Sequence, residues 1–446
     1  GTFRNEESIS SEGKNRASLS NQSDFSWTLD NLIYYDKEFG KHSVGLTLLQ
    51  SATGYHYEES SMAAEGIPLE SAKWNALSKE NVSLLDEWNS GLIEKQLLSY
   101  MFRVNYDYNN KYLLTVSGRW DGASQLAEGN KWAFFPSAAL GWRLDQEEFL
   151  KDVTWLNQLK FRLGVGVTGN SAIDPYQTKG AIVSLYYPFG SALAPGYAAS
   201  EPLIKDGAVA MANKDLSWEK TTQYNIGLDY SVLNGRISGV LDFYTSRTTD
   251  LLMAMTIPSL NGYTNTYANV GKTSNIGVDI TLNTVNVKTR DFEWSTSINA
   301  AWQKDKIDEL ANGKEDDINN NWFIGQALGV IYGYECGGLW KEEDAAEMAK
   351  FNAKGHSFQA GMVRPIDQNG DYKIDPNDDR VIIGHTRPRW TFGMTNTFTY
   401  KNFDLSVMMY GRFDYMVDTG GEWQGGRYMQ RKINYYNENN KNAEYQ

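Results

Sequence analysis

Apolar and polar side chains alternate with a period of two along much of the chain, which puts successive residues on opposite faces of a β-strand. Tyr100, Phe102, Val104, Tyr106 and Tyr108 make one aromatic-rich face, and Met101, Arg103, Asn105, Asp107 and Asn109 between them make a polar one. Tyr224, Ile226, Leu228 and Tyr230 repeat the pattern against Asn225, Gly227 and Asp229. Ile276, Val278, Ile280 and Leu282 do so against Asn275, Gly277, Asp279, Thr281 and Asn283, and Phe392, Met394, Phe398 and Tyr400 against Thr391, Gly393, Thr395, Thr397 and Thr399. Roughly twelve such segments occur, many near the ~10 residues of a tilted membrane-spanning strand.

The connections alternate too. Asn234-Gly235 is a two-residue hairpin signal, Asn109-Asn110-Lys111 and Lys401-Asn402 are similarly tight, and Lys288 to Asp291 is little longer. Between them lie polar connections over 57–97, 170–218, 246–270 and 304–388, far longer than the ~12 to 15 residues usual in compact domains. Two stretches inside them, Leu69 to Leu77 after Pro68 and Glu342 to Lys354, read as short helices, neither large enough for a domain. Short turns on one side and long loops on the other is the outer-membrane barrel pattern. Phe39, Tyr108, Tyr112, Tyr230, Phe292, Trp294, Tyr400 and Phe403 crowd the short turns, where a barrel carries an interfacial girdle. A soluble multi-sheet protein would also alternate, so pattern alone leaves both architectures open.

Composition fits such strands in water or in a membrane, and excludes other classes. With 27 Tyr, 14 Trp, 18 Phe and 40 Gly against 10 Pro, the chain suits many strands with one polar face. A net charge of −13 argues against nucleic acid as a partner. The single cysteine, Cys336, excludes an intrachain disulfide framework. The apolar run Leu251 to Met255 falls far short of the ~18 residues of a spanning helix. The chain opens at Gly1-Thr2-Phe3 with no charged-then-apolar leader, which is uninformative about secretion.

Several motifs, in order, resemble the SusC/RagA family of TonB-dependent outer-membrane transporters. They are Arg119-Trp120-Asp121-Gly122-Ala123-Ser124, Phe135-Pro136-Ser137 leading to Gly141-Trp142-Arg143, and Leu159-Lys160-Phe161-Arg162 running into Gly166-Val167-Thr168-Gly169-Asn170. Asn213-Lys214-Asp215-Leu216-Ser217-Trp218-Glu219-Lys220, Ala268-Asn269-Val270-Gly271 with Asn275-Ile276-Gly277-Val278, Tyr332-Gly333-Tyr334 and Arg387-Pro388-Arg389-Trp390 follow. Each is weak alone; their order and spacing over residues 24–415 carry the resemblance.

The resemblance implies an all-β fold, a transmembrane antiparallel β-barrel of about 22 strands with long extracellular loops and short periplasmic turns. Residues 1–446 are read as part of that barrel, with the plug domain and TonB-contact segment outside this chain and no closing aromatic strand end at Tyr445-Gln446. The implied function is TonB-dependent active import of oligosaccharides or oligopeptides across the bacterial outer membrane, without enzymatic chemistry. Implied partners are a SusD-like surface lipoprotein acting as a lid, the TonB complex, outer-membrane lipid, and a second transporter–lid pair in a dimer. Asn105, Asp107, Arg119, Asp229, Asp242, Asp279 and Asn299 would line the interior. A passive porin and a soluble carbohydrate-active β protein are the rival readings. The substrate-binding residues are not legible.

Local motifs add little catalytic chemistry. Gly164-Val165-Gly166-Val167-Thr168-Gly169 matches a dinucleotide-binding glycine pattern, but Asn170 to Pro175 reads as a loop where that motif needs a helix, so a glycine-rich strand is expected. His42, His56, His356 and His385 are scattered, and Glu58-Glu59 and Glu147-Glu148 read as solvated loop charge. The most specific motif runs from Asp367 to Asp378. Asp367, Asn369, Asp371, Asp375 and Asp378 place side-chain oxygens at positions 1, 3, 5, 9 and 12, and Lys373 offers a backbone carbonyl at position 7, the layout of a Ca2+ loop. It resembles dockerin-type loops, although Tyr372 stands where the sharp turn favours Gly and Asp378 is shorter than the usual Glu. An ion-free Asn-Gly-Asp turn is the alternative.

Overall fold

The computed structural model describes residues 1–8, 13–77, 84–178, 183–189, 192–198, 211–258, 265–417, 434–441 and 443. The alternating segments become thirteen strands of one sheet in which each strand neighbours the next in sequence. They are β1 (Thr2–Arg4), β2 (Arg16–Phe39), β3 (His42–Glu65), β4 (Leu84–Tyr108), β5 (Tyr112–Ala123), β6 (Trp132–Arg143), β7 (Leu156–Asn170), β8 (Glu219–Val232), β9 (Ile237–Thr249), β10 (Lys272–Lys288), β11 (Phe292–Glu309), β12 (Trp390–Tyr400) and β13 (Phe403–Phe413). Three of the long connections are close to those the alternation marks out. The one over 57–97 is not: β3 and β4 continue their pairing through it to Glu65 and Leu84, which leaves 66–83 as the connection. These strands are mixed in polarity on both faces there, so the alternation that marks a half-apolar strand disappears while backbone pairing continues.

The turns follow from local chemistry. Asn109 and Asn110 both take positive φ (57° and 53°), the backbone that a right-twisted tight hairpin requires and that asparagine tolerates. Leu233, Asn234 and Gly235 are all left-handed, and the Leu233 N–H donates to the Trp155 carbonyl, which ties this turn to the neighbouring connection.

The chain packs as two compact units. The first contains Gly1–Glu147, Arg162–Tyr224 and Thr248–Val270. Its register aligns His42, Tyr108, Tyr112 and Trp142 in one row, Val44, Tyr106, Leu114 and Leu140 in the next, and Gln50, Tyr100, Trp120 and Phe134 further along, all on the same face. The opposite face carries Thr47, Arg103, Ser117 and Ser137 in one row and Gly45, Asn105, Thr115 and Ala139 in another. The short helix expected over Leu69 to Leu77 is two 3-10 turns within Glu70–Ala76, broken at Lys73 (φ 49°), beside a small core of Ala17, Ala64 and Ile67. Asn15 fastens it by exchanging two buried hydrogen bonds with the Ile67 backbone.

The second unit contains Glu148–Phe161, Asn225–Arg247 and Gly271–Gln446. Its register repeats the two-faced wall: Val278, Trp302, Trp390 and Phe413 align, as do Leu282, Ile298, Met394 and Met409, while Ser297 with Thr395 and Asn299 with Gly393 occupy the other face. Between β11 and β12 the connection builds a lobe. Ribbons Val330–Tyr334/Arg380–His385 and Cys336–Leu339/Val363–Pro365 flank helix α1 (Ala345–Ala353), as expected for Glu342 to Lys354. Trp340, Met348 and Phe351 form a buried core beneath α1, so this stretch is more than a polar loop. Apolar residues too sparse to show periodicity converge only in three dimensions.

Candidate functional site

The site is the wall itself. Its apolar face is exposed: Tyr224, Ile226 and Ile276 are 56%, 49% and 52% exposed, where a soluble sheet would bury them. Along β4 the outward face is apolar from Tyr108 to Leu98 and becomes polar at Gln96 and Glu94, where Glu94 and Glu58 hydrogen-bond the two nitrogens of His56. Ten residue steps make about 34 Å of strand, or about 26 Å of height at a tilt of ~40°, which matches the ~25 Å apolar band of an outer-membrane barrel.

Aromatic rings mark both edges of that band. At the short-turn edge Phe39 stacks on His42 (5.2 Å between centroids), His42 meets Tyr108 (5.0 Å) and Tyr108 stacks on Tyr112 (6.4 Å). Glu147 anchors this edge by accepting hydrogen bonds from Lys111 Nζ, Tyr112 Oη and Trp142 Nε1 at 2.8, 2.9 and 2.9 Å. Lys111 first, then Trp142 and Tyr112, hold its carboxyl down to about 2. At the other edge Tyr100 stacks on Trp132 and Trp120 packs on Phe134 at 4.2 Å. Sequence reading found only the first girdle, because the second is spread over several strands and no turn flags it.

The opposite face is hydrophilic. The register places Asn105, Asp107, Arg119, Asp279 and Asn299 there, as expected, and strand alternation adds Asp229 and Asp242. Arg119 Nε donates to Asp121 Oδ1 at 2.7 Å and its Nη2 to Ser99 Oγ at 2.9 Å, which pairs a charge beside the half-buried wall. The motif Arg119-Trp120-Asp121 is thus one strand read on two faces, with Trp120 in the girdle and its neighbours on the hydrophilic side.

Motifs that are far apart in sequence meet at the long-loop end. Phe135 lies against Gly169, where any Cβ would collide with its ring, and edge-on to Trp218 (5.3 Å). Ala123 and Leu126 complete this buried cluster. Glu219 accepts from Asn170 Nδ2 (2.6 Å) and the Leu252 N–H (2.8 Å), and Asn269 exchanges hydrogen bonds with the Ser217 backbone. These residues fasten the bases of the long connections.

The loop from Asp367 to Asp378 is compact. Asp367 accepts from the Gly370 and Tyr372 N–H groups, Asn369 from Asp371, Asp371 from Lys373, and Asp375 from Asn377 and Asp378. Lys373 Nζ sits 2.6 Å from Asp375 Oδ2, which lowers the Asp375 pKa and raises that of Lys373. Fully buried Asp379, which sequence reading passed over, closes the loop by accepting from the Gln368 and Asp375 N–H groups. Tyr372 adopts φ 62°, left-handed as a Gly would, and its ring packs edge-on to Phe351 (5.5 Å). Among the described residues no three His, Cys, Asp or Glu side chains converge as a metal-holding group.

Other candidates resolve simply. Gly164 to Gly169 lie within β7, and the described residues 171–178 after it form no helix. Glu58 and Glu59 lie in β3, not in a loop; they bond His56 and Tyr57 respectively and face opposite sides, so they form no carboxylate pair. His356 Nε2 accepts the Ile374 N–H, and His385 Nδ1 lies against the Arg387 carbonyl.

Residues 2–446 match the family described as "TonB dependent receptor-like, beta-barrel". TonB-dependent receptor SusC of Bacteroides thetaiotaomicron is 34% identical over 75% of this chain and 33% of its own length. TonB-dependent receptor P3 of Formosa agariphila is 31% identical over 88% and 38%. The chain therefore spans between a third and two-fifths of these relatives. A solved structure titled "Structure of the RagAB peptide transporter" superposes with a TM-score of 0.74 at 22% identity, covering 97% of this chain and 47% of its own, which is a likeness of fold. The chain belongs to the TonB-dependent receptor family, as part of its outer-membrane β-barrel.

Proposed function

We propose that the complete protein imports an oligosaccharide or oligopeptide across the outer membrane, driven through TonB and without covalent chemistry. The observation that carries this reading is the two-faced wall of the first unit: an apolar face about 26 Å tall between two aromatic girdles, backed by a hydrophilic face bearing Arg119, Asp121 and Asn105. The family match and the SusC relative support energised import over a passive porin. The lobe between β11 and β12 gives a SusD-like lipoprotein a folded surface to meet, and a dimer of transporter–lid pairs is part of the same reading. Uptake by cells carrying the complete gene, with and without TonB, tests it. Loss of uptake without TonB is the expected result; undiminished uptake would favour a porin.

We also propose that the 367–378 loop holds Ca2+. Support comes from its donor set of four carboxylates and an amide, of which Asp367, Asn369, Asp371 and Asp375 are each already held by a backbone N–H of the loop. Calcium would neutralise their mutual repulsion and stiffen the lobe. Calcium-dependent protease resistance of the lobe, lost in Asp371→Ala, is the expected outcome; equal resistance in chelator leaves the ion-free turn.

A further inference from the structure

Beyond the apolar band the pairing of β2–β4 continues, and the face in line with the hydrophilic side of the wall carries a shelf. Tyr55 and Tyr57 stand two residues apart on β3 and so share this face, with Ser26 and Lys95 beside Tyr55 and Asp24 and Ile93 beside Tyr57 in the register. Tyr55 Oη donates to Asp24 Oδ2 (3.1 Å) and Tyr57 Oη to Glu59 Oε2 (2.7 Å). Lys95 Nζ lies 4.7 Å from the Tyr55 ring centroid.

Resting on the importer reading, we propose that this shelf is a subsite for a neutral oligosaccharide at the mouth of the conduit. Both phenols spend their protons on carboxylates, so the rings are held in place at little further entropic cost to a ligand. Each carboxylate commits one oxygen to its phenol and keeps a second acceptor, suited to sugar hydroxyl donors beside a C–H face stacked on tyrosine. The two carboxylates outweigh the single Lys95 ammonium, so uronate or sulfated chains are repelled. Lys95 stands over Tyr55, which leaves Tyr57 as the main stacking platform. A basic peptide is the competing occupant, since the same carboxylates would attract Lys or Arg.

The test uses the complete transporter purified in detergent and calorimetric titration with three probe sets: neutral hexasaccharides (gluco-, manno- and xylo-), an oligogalacturonate, and a lysine-rich pentapeptide. At least one neutral hexasaccharide binds, the oligogalacturonate does not, and Tyr57→Ala weakens the neutral ligand by ~10-fold or more. Glu59→Gln weakens it less and admits the oligogalacturonate. Unchanged heat-modifiability on gels shows that the variants remain folded. Failure of every neutral probe, equal binding by Tyr57→Ala, or an effect confined to the pentapeptide overturns the proposal. TonB-dependent uptake that is indifferent to Tyr57→Ala removes the subsite and leaves the importer reading intact.

Discussion

Trp218 Nε1 donates to the Lys131 carbonyl at 2.8 Å, and the same carbonyl accepts the Ala123 N–H at 3.0 Å. One acceptor thus joins the end of β5 and the start of β6 to the segment entering β8. The indole is buried against Phe135, so a single side chain supplies both the hydrogen bond and the core contact.

Because Lys131 keeps its second donor, Trp218→Phe should cost only ~0.5–1.5 kcal/mol, whereas Trp218→Ala should cost ~3–5 kcal/mol by opening a cavity. Thermal unfolding in detergent checks the ratio. External protease should cut the long connection leading into β8 faster in Trp218→Ala alone.

Adjacent residues on β11 predict opposite outcomes. Ile298 lies in the apolar row with Leu282 and Met394, and Asn299 in the hydrophilic row with Thr281. Ile298→Arg should destabilise by ~2–4 kcal/mol near mid-band, and Asn299→Arg by well under ~1 kcal/mol. Denaturant unfolding in vesicles separates them.

Glu147 gives a pH dependence. Its folded pKa of about 2 lies below its ordinary 4.5, so its contribution is present above pH 4.5 and is lost as pH falls toward 2. Trp142 fluorescence, read in a variant series that isolates it, should hold steady from neutral pH to about 3 and shift as pH falls toward 2. Glu147→Gln should show the shifted signal already at neutral pH.

Tyr372 trades backbone strain for packing. Tyr372→Gly removes the left-handed penalty of ~1–2 kcal/mol but also the half-buried ring on Phe351 and its bond from Lys350 Nζ, and it loosens the unfolded chain, so the lobe should be net weaker. Tyr372→Phe keeps the ring, loses the hydrogen bond from Lys350 Nζ, and should stay within ~1 kcal/mol of the parent. Proteolysis within 336–379 reports the order.

Much of the wall was legible because the alternation has one period and one cause: Tyr100 to Tyr108 faces two solvents. The extensions of β2–β4 were not, since Tyr55, His56, Tyr57 and Glu58 alternate in direction without alternating in polarity. The lobe core escaped as well, because Trp340, Met348 and Phe351 come from a ribbon end and a single helix. Asp379 was hidden by a pattern that ends at Asp378. The rim cluster was visible only as separate motifs; that Phe135, Gly169 and Trp218 touch is a property of the sheet.

Which way the wall faces separates a membrane barrel from a soluble sheet. Spin labels placed singly from Tyr100 to Tyr108 in the complete protein, in a Cys336→Ser background and reconstituted in vesicles, measure this directly through collision with oxygen and with a water-soluble nickel complex. Even positions should be oxygen-accessible with depth rising toward Val104, and odd positions nickel-accessible or shielded within the conduit. Nickel access at Phe102, Val104 and Tyr106, or no alternation along the strand, would contradict the membrane barrel.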